Sequence, residues 1–317
     1  MTNRTATLGK TEIPVTALGI GTWAWGDKLF WNYGQEYGEK QVEEAFFASI
    51  ESGITFFDTA EVYGLGESER LLGRFLKRTE VPVDIATKFA PVPWRFGADA
   101  VHNSVTESLK RLEIDRLTLY QVHWPFTFFL SQETLLNALA EEVKRGRIAA
   151  VGVSNYSAEQ TRQAVEILAK KGVPLAVNQV RYSLLSRQIE TKGIFDTARE
   201  LGVTLLAYSP LAQGLLTGKY RPGEAQIPDG ARKTDSRFSA EGLRKIEPVL
   251  ALLDEFAEKY GKTPAQVALN WLTALGGVIP IPGAKTARQA LENAGALGWS
   301  LEPGEVTRLE QVSRPWL

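Results

Sequence analysis

Cysteine is absent from all 317 residues. No disulfide framework, thiolate nucleophile or zinc-thiolate site is therefore possible. With 2 histidines and no cysteine, a transition-metal site is not expected. The missing cysteines also remove the usual marker of redox compartment, and a reducing cytosol is the default expectation. No stretch reaches the roughly 18 consecutive apolar residues needed to cross a bilayer. The opening MTNRTATLGKTEIP has no apolar h-region, so no secretory signal is expected and a cytoplasmic location is. An excess of charge is missing as well: 36 Lys+Arg against 37 Asp+Glu leaves −1, without the basic surplus of a nucleic-acid surface. Apolar residues at 44% and charged residues at 23% fit a soluble globular chain and not a disordered one.

What the chain does have is alternation. Short apolar, β-branched runs start at 18, 54, 83, 117, 148, 175, 203 and 277, as in LGIGT, ITFFDT, VDIATK, LTLYQVH and IAAVGVS. Such near-continuous hydrophobicity suits strands buried on both faces. Amphipathic helical stretches lie between them, at 39–52, 67–77, 99–112, 132–145, 157–171 and 187–201. Ser157 with Gln160, and Thr263-Pro264 with Gln266, read as capping boxes. Gly53, Gly172 and Gly202 sit where helices should stop. The first seven runs recur at roughly 31 residues, one β-loop-α-loop unit each, and eight such units make a (β/α)8 barrel. A doubly wound sheet competes, but LGIGTWAWG lacks the G-x-G-x-x-G that would follow its first strand. The expectation is thus an α/β fold, a TIM barrel filling 1–317 as one domain.

Three additions are expected. The stretch TATLGKTEIPVTALG forms a hairpin that plugs the barrel bottom. The eighth run starts roughly 40 residues late, so segment 212–241 is a long loop after strand seven, able to act as a lid. Disorder of 222–236 is the competing reading. Helical patterns at 242–260 and 264–275 precede the eighth strand, and a last helix at about 303–313 is extra to the eight.

Residues at the C-terminal ends of barrel strands face the active site. Reading those ends gives Asp58, Lys88 and His123, with Tyr63 in the loop after Asp58. A free phenol, with a pKa of about 10, shuttles protons poorly near neutral pH. A lysine ammonium beside it favours phenolate, and an aspartate offsets the cost of burying that ammonium. A histidine nitrogen can hold a substrate oxygen against the phenol. This is an acid-base set for a carbonyl/alcohol couple, and with no electron donor of its own it implies a hydride carrier. Taken singly, Asp58 could be an N-cap, Asp58–Lys88 a structural ion pair, Tyr63 a surface tyrosine and His123 a satisfied core residue. Their convergence on one face favours function. His102, in a polar helical stretch, reads as surface.

These motifs resemble the aldo-keto reductase family. DTAEVYG (58–64) matches its D-x-A-x-x-Y-G, while ATK (86–88) and YQVHW (120–124) match its lysine and histidine strands. VGVSNYS (151–157), NQVRYSLL (178–185), AYSPLAQGLLTGKY (207–220) and IPGAKTARQALEN (281–293) match its cofactor motifs, in order, over nearly the whole chain. The segment PLAQGLLTGK is similar to the microbial, plant-plastid and potassium-channel-β-like branches. The resemblance implies Tyr63 as general acid, tuned by Lys88 and Asp58, with His123 orienting the carbonyl. It implies Ser154, Asn155 and Gln179 on the nicotinamide carboxamide and Tyr208 stacked on the ring. Residues Ser209, Pro210, Leu211, Gln213, Gly214 and Leu216, through backbone amides of 209–216, and the Lys219 side chain would face the pyrophosphate. Gly283, Lys285, Gln289, Glu292 and Asn293 would surround the adenosine. Ser154-Asn155 is equally the kind of pair that turns after strands favour. Family members often carry arginine or glutamine at the position of Gln289. Lys285 and Arg288 beside a helix start would make a phosphate pocket, so NADP(H) is the expected cofactor. A Thr286–Gln289 capping box with Arg288 in solvent is the alternative.

Trp23, Trp25, Trp31, Trp94 and Trp124 fall in loops after strands one, three and four. They imply an aromatic-lined cleft for a small-molecule carbonyl substrate, apolar or aromatic, with a partner or oligomer patch as the other reading. Oligomeric state is left open. A nicotinamide-bound sensor subunit with little turnover is the alternative function. A carboxylate-pair glycosidase lacks its second acid at the strand ends.

Overall fold

The computed structural model describes residues 5–223 and 235–317. The hairpin β1 (Thr5–Thr7) and β2 (Pro14–Thr16) comes first. Eight parallel strands follow: β3 (Ile20–Gly21), β4 (Phe56–Asp58), β5 (Asp84–Phe89), β6 (Leu117–Val122), β7 (Ile148–Ser154), β8 (Leu175–Arg181), β9 (Thr204–Tyr208) and β10 (Val278–Ile281). Each pairs with the next in chain order. The ring closes between β3 and β10, where Gly19 N donates to Pro280 O at 3.0 Å and Gly21 N to Pro282 O at 2.9 Å. Glycine is required at this seam, because a Cβ on Gly19 would stand 2.7 Å from the Phe56 ring.

The outer layer is helical: α1 (Glu39–Glu51), α2 (Glu67–Leu76), α3 (Gly97–Leu112), α4 (Gln132–Lys144), α5 (Ala158–Ala169), α6 (Gln188–Thr191), α7 (Ile194–Leu201), α8 (Ala240–Tyr260), α9 (Pro264–Ala274), α10 (Ala287–Ala294) and α11 (Pro303–Val312). The two expected capping boxes are present at Ser157 and Thr263. Gly202 ends α7 at φ 68, a left-handed conformation that costs glycine nothing. The helix expected over 187–201 is broken, because Gly193 at φ 68 separates α6 from α7. Helices α8 and α11 are extra to the eightfold repeat. No helix among the described residues is long and apolar enough to cross a membrane.

The hairpin plugs the N-terminal end of the barrel, as expected. Leu8 and Val15 are buried against the inward-facing Phe56, Ala86, Leu119, Ala150, Val177, Leu206 and Ile279. Thr204 fastens it, accepting from Gly9 N at 2.9 Å and donating to Thr7 O at 3.0 Å. The start of the long loop after β9 differs from a loose lid. Leu215 and Leu216 are fully buried, and the Tyr220 ring packs edge-on against Phe238 at 5.0 Å. The middle of the 212–241 segment expected as a lid, and most of 222–236 where disorder is the competing reading, fall on 224–234, outside the described residues.

Candidate active site

Strand periodicity lifts a polar layer above the apolar one. Side chains two apart on a strand share a face. Phe56 leads to Asp58, Ala86 to Lys88, Leu119 to Gln121, Val177 to Gln179 and Leu206 to Tyr208. The lower member of each pair lies in the apolar barrel interior. The upper members therefore meet at the C-terminal mouth, opposite the hairpin.

The geometry of the expected acid-base set is tight. Lys88 Nζ donates to Asp58 Oδ1 at 2.5 Å and to Thr59 O at 2.7 Å, and stands 3.4 Å from the Tyr63 hydroxyl. The Tyr63 and His123 rings meet edge-on with centroids 5.8 Å apart. Burial pushes the Tyr63 hydroxyl up, Lys88 pulls it down and Asp58 pushes it up again, with a net rise. The expected lowering by Lys88 is present, but burial outweighs it. The phenol therefore keeps its proton at neutral pH and can give it away. Burial lowers Lys88, but Asp58 and Tyr63 raise it further, so it remains an ammonium.

His123 is driven the other way. Burial first, and then the charge of Lys88, lower its pKa from 6.5 to about 2. Its Nδ1 is buried without a hydrogen-bond partner among the described residues. The ring is thus a neutral imidazole, able to donate one N–H without adding a charge. A stability test follows. The unfolded chain takes up a proton at His123 below pH 6.5 and the native chain does not, so native stability falls as pH drops. From this residue alone the loss is about 2 kcal/mol by pH 5, at about 1.4 kcal/mol per pH unit. Urea unfolding of native protein and His123→Asn at pH 7 and pH 5 checks this. The native protein loses more stability than the variant, and equal losses contradict a buried neutral histidine.

The residues expected at the cofactor also sit at strand ends, and many are already engaged. Ser154 Oγ donates to Gln179 O at 2.9 Å. Asn155, at φ 63, donates to His123 O at 3.2 Å and accepts from the Tyr208 hydroxyl at 3.0 Å. Gln179 Nε2 donates to Asp58 Oδ2 at 2.8 Å. In the loop after β9, Ser209, Ala212 and Gln213 have φ between 47 and 58, an uncommon left-handed backbone for non-glycine residues. Gly214 and Leu216 donate their amides to Leu211 O, so these two N–H groups are spent within the loop they were expected to open. Leu216 is also a core residue. Pro210 is buried, whereas Lys219 is exposed. Gln213 Oε1 is buried without a partner among the described residues.

At the adenosine end, Gln289 Oε1 accepts from Lys285 N at 2.7 Å, and Thr286 caps α10 by accepting from Gln289 N. Only half of the capping alternative is present: Thr286 caps the helix, but the Gln289 side chain takes the amide of Lys285 and not that of Thr286, so no capping box closes. Asn293 Nδ2 donates to Gly283 O at 3.2 Å, and Glu292 O accepts from Gln266. Arg288 is exposed. Lys285 Nζ lies over the rings of Trp31 and Tyr37, 4.7 and 4.5 Å from their centroids.

The aromatic residues divide. Trp23 meets Trp31 at 5.4 Å, Phe30 at 5.9 Å and Tyr63 at 6.3 Å, forming a wall beside the phenol. Trp124 stacks on His123 at 3.8 Å, and Trp94 is exposed. Trp25 corrects the expectation. It is fully buried outside the barrel, against Phe57 and Phe75, and its Nε1 donates to Ala284 O at 2.8 Å. In WAW the two indoles point to opposite sides, so only Trp23 reaches the mouth. His102 is not a free surface residue either. It is half-buried between α3 and α4, with Nδ1 2.5 Å from Glu142 Oε1.

Two groups escaped the sequence reading. Gln121 Nε2 donates to Asp58 Oδ2 at 2.9 Å. Its signal is an amide in register with the inward positions of a buried strand, two residues before His123. Glu61 accepts from Ala90 N at 2.6 Å and holds Arg95 through both carboxylate oxygens, tying the Tyr63 loop to the end of β5. Nothing in the spacing of those two residues signals the pair. Among the described residues no cluster of His, Asp or Glu is placed to hold a metal ion.

Comparison with known proteins bears on this geometry. The pattern of the Aldo/keto reductase family matches residues 17–314. A protein of Arabidopsis thaliana described as a chloroplastic pyridoxal reductase is 42% identical over 317 residues, which cover 95% of this chain and 84% of that one. A thermostable aldo-keto reductase solved with the inhibitor epalrestat superposes with a TM-score of 0.78 at 30% identity, over 98% of this chain and 99% of that one. An aldo-keto reductase from Klebsiella pneumoniae, solved with NADPH, gives a TM-score of 0.75 at 29% identity over 99% and 96%.

Proposed function

The chain belongs to the aldo/keto reductase family and is an oxidoreductase, and from that premise we propose that it reduces aldehydes and ketones to alcohols with NADPH. The observation that carries this reading is the buried Asp58–Lys88–Tyr63 contact beside a neutral His123, open to an aromatic wall.

The residues present fit a nicotinamide nucleotide. Gln213 Oε1 is a buried acceptor in want of a donor, and the left-handed backbone at Ser209, Ala212 and Gln213 is the kind of strain that collects at binding sites. Ser154, Asn155 and Gln179 would hold the carboxamide, whose planar amide suits paired donors and acceptors. Tyr208 would cover one face of the ring. The loop 209–216 with Lys219 would meet the pyrophosphate, and Gly283, Lys285, Gln289, Glu292 and Asn293 the adenosine. When bound, the cofactor supplies the hydride. His123 orients the carbonyl oxygen through one N–H, Tyr63 gives that oxygen a proton, and Lys88, held by Asp58, keeps the phenol poised. A cytoplasmic setting belongs to the same proposal and is checked by cell fractionation.

Lys285 and Arg288 at the start of α10, where a helix end favours anions, support NADPH over NADH. Trp23, Phe30, Trp31 and Trp124 support an aromatic carbonyl, and the Arabidopsis relative is described as acting on pyridoxal, a heteroaromatic aldehyde. A panel of aromatic, aliphatic and sugar aldehydes, assayed over many turnovers with each cofactor, tests both points. The expected result is tighter binding of NADPH than NADH and the highest kcat/KM on aromatic aldehydes. Equal dissociation constants contradict the cofactor preference, and faster turnover of small hydrophilic aldehydes contradicts the aromatic cleft.

A further inference from the structure

The end of β5 holds two of the acid-base residues in one frame. Lys88 is on the strand itself, and Phe89 O accepts from His123 N at 2.9 Å. Tyr63 is not on a strand. It sits in the loop after β4, and the backbone turns left-handed straight after it, at Gly64, Leu65 and Gly66. Its hydroxyl has one hydrogen-bond partner among the described residues, Lys88 at 3.4 Å. A contact that long does little to fix the phenol. The separation of phenol and ammonium is therefore set by how the loop is tied down.

Glu61, two residues before Tyr63, supplies a tie. Its Oε1 accepts at 2.6 Å from Ala90 N, the residue next to Phe89. Arg95 clamps the same carboxylate, with Nη1 donating to Oε1 at 2.5 Å and Nη2 to Oε2 at 3.0 Å. Arg95 is itself anchored, donating to Ala90 O at 3.0 Å and lying 4.8 Å over the Phe89 ring. The Glu61 side chain is only 8% exposed, so solvent screens these charge-assisted bonds little. The flanking hydrogen-bonded ties to the barrel are farther from Tyr63 along the chain. Thr59 N donates to Ala86 O at 2.8 Å, and Ser68 Oγ donates to Thr22 O at 3.1 Å. Three consecutive residues of one strand end thus meet the set: Lys88 directly, Phe89 through His123, and Ala90 through Glu61.

We propose that Glu61 is a positioning residue for the reaction: clamped by Arg95 onto Ala90 N, it sets the distance between the Tyr63 hydroxyl and Lys88. The inference rests on the reading of Tyr63 as the proton donor. Glu61 touches neither substrate nor cofactor in this account.

The test compares Glu61→Ala with Glu61→Gln, which loses the charge but keeps an acceptor for Ala90 N. In Glu61→Ala, kcat is expected to fall about 10-fold, as for a misplaced reacting group, with KM and NADPH affinity little changed. The groups facing the phenol are Lys88, Asp58, His123 and Tyr208. With Lys88 farther off, Tyr63 holds its proton more tightly. The alkaline limb of the kcat profile then moves to higher pH. So does the titration of the Tyr63 signal in tyrosine ring-carbon NMR of cofactor-free protein, assigned by its absence in Tyr63→Phe. The sign separates position from charge, because losing an anion near a phenol would by itself make the proton easier to remove. Glu61→Gln is expected to recover most of the rate. Glu61→Met carries the same expectation as Glu61→Ala should the alanine variant fail to fold. A lower urea midpoint with native kcat and native titration makes the tie a structural staple and overturns the proposal. A shift to lower pH shared by the alanine and glutamine variants also overturns it. A loss in Tyr63→Phe with none in Glu61→Ala strikes this proposal alone. Native kcat in Tyr63→Phe strikes the proton-donor reading and this proposal together.

Discussion

Tyr63→Phe is expected to lower kcat for aldehyde reduction by about 10² or more and to leave NADPH affinity nearly unchanged. The magnitude is that of losing a positioned general acid. The substitution removes the hydroxyl and leaves the ring in its contacts with Trp23 and His123. The only hydrogen bond lost among the described residues is the long one from Lys88, at 3.4 Å. Lys88 keeps its shorter bonds to Asp58 and Thr59, so the fold has little reason to change. The loss should fall on kcat, because the proton is needed in the transition state and not for binding. Steady-state kinetics with NADPH titrations on both proteins checks it. A variant that retains most of its kcat removes Tyr63 from the chemistry.

Lys88→Met is expected to be damaging twice over. Lys88 is fully buried, and it is the cation bonded to Asp58. Removing one partner of a buried ion pair leaves the other charge uncompensated and costs about 3–5 kcal/mol. Gln121 and Gln179 still donate to Asp58 Oδ2 but bring no charge. Urea unfolding at neutral pH should show the lower midpoint. Activity falls as well, by about 10² or more, since proton transfer loses the group that offsets burial of the phenol. With that pull gone, the Tyr63 pKa rises further, and the alkaline limb of the kcat profile for reduction moves to higher pH. A fully stable Lys88→Met protein would mean that the pair contributes nothing to the fold.

The barrel was legible because its strands are buried on both faces and recur at one interval. IAAVGVS reads as a buried strand over 148–154 and is β7 at those bounds. Glycine broke the pattern where helix periodicity could not warn of it: α6 and α7 are both amphipathic, and the left-handed Gly193 between them lies within one continuous helical pattern. The mouth was legible where the chemistry sits on strand ends, since Asp58, Lys88 and His123 follow from the register alone. Loop residues were not. Trp25 lies two residues from Trp23, and only the packing of Phe57 and Phe75 places it in the core. The bond between Glu61 and Arg95 joins two loops, with no period to carry the signal. The direction of the Tyr63 shift was missed for a related reason. Sequence supplies the neighbouring lysine, but the burial that outweighs it is a property of the assembled barrel.

The central claim is that this site moves a hydride from a nicotinamide to a carbonyl carbon while Tyr63 protonates the oxygen. It is tested most directly by running the native enzyme with an aromatic aldehyde and NADPH deuterated at the transferable C4 position. The alcohol product is then examined by mass spectrometry and NMR. The account predicts many turnovers and one deuterium on the carbinol carbon of each product molecule. Tight NADPH binding with no turnover and no deuterated alcohol across the aldehyde panel would contradict it, and would point to a subunit that holds its cofactor as a sensor.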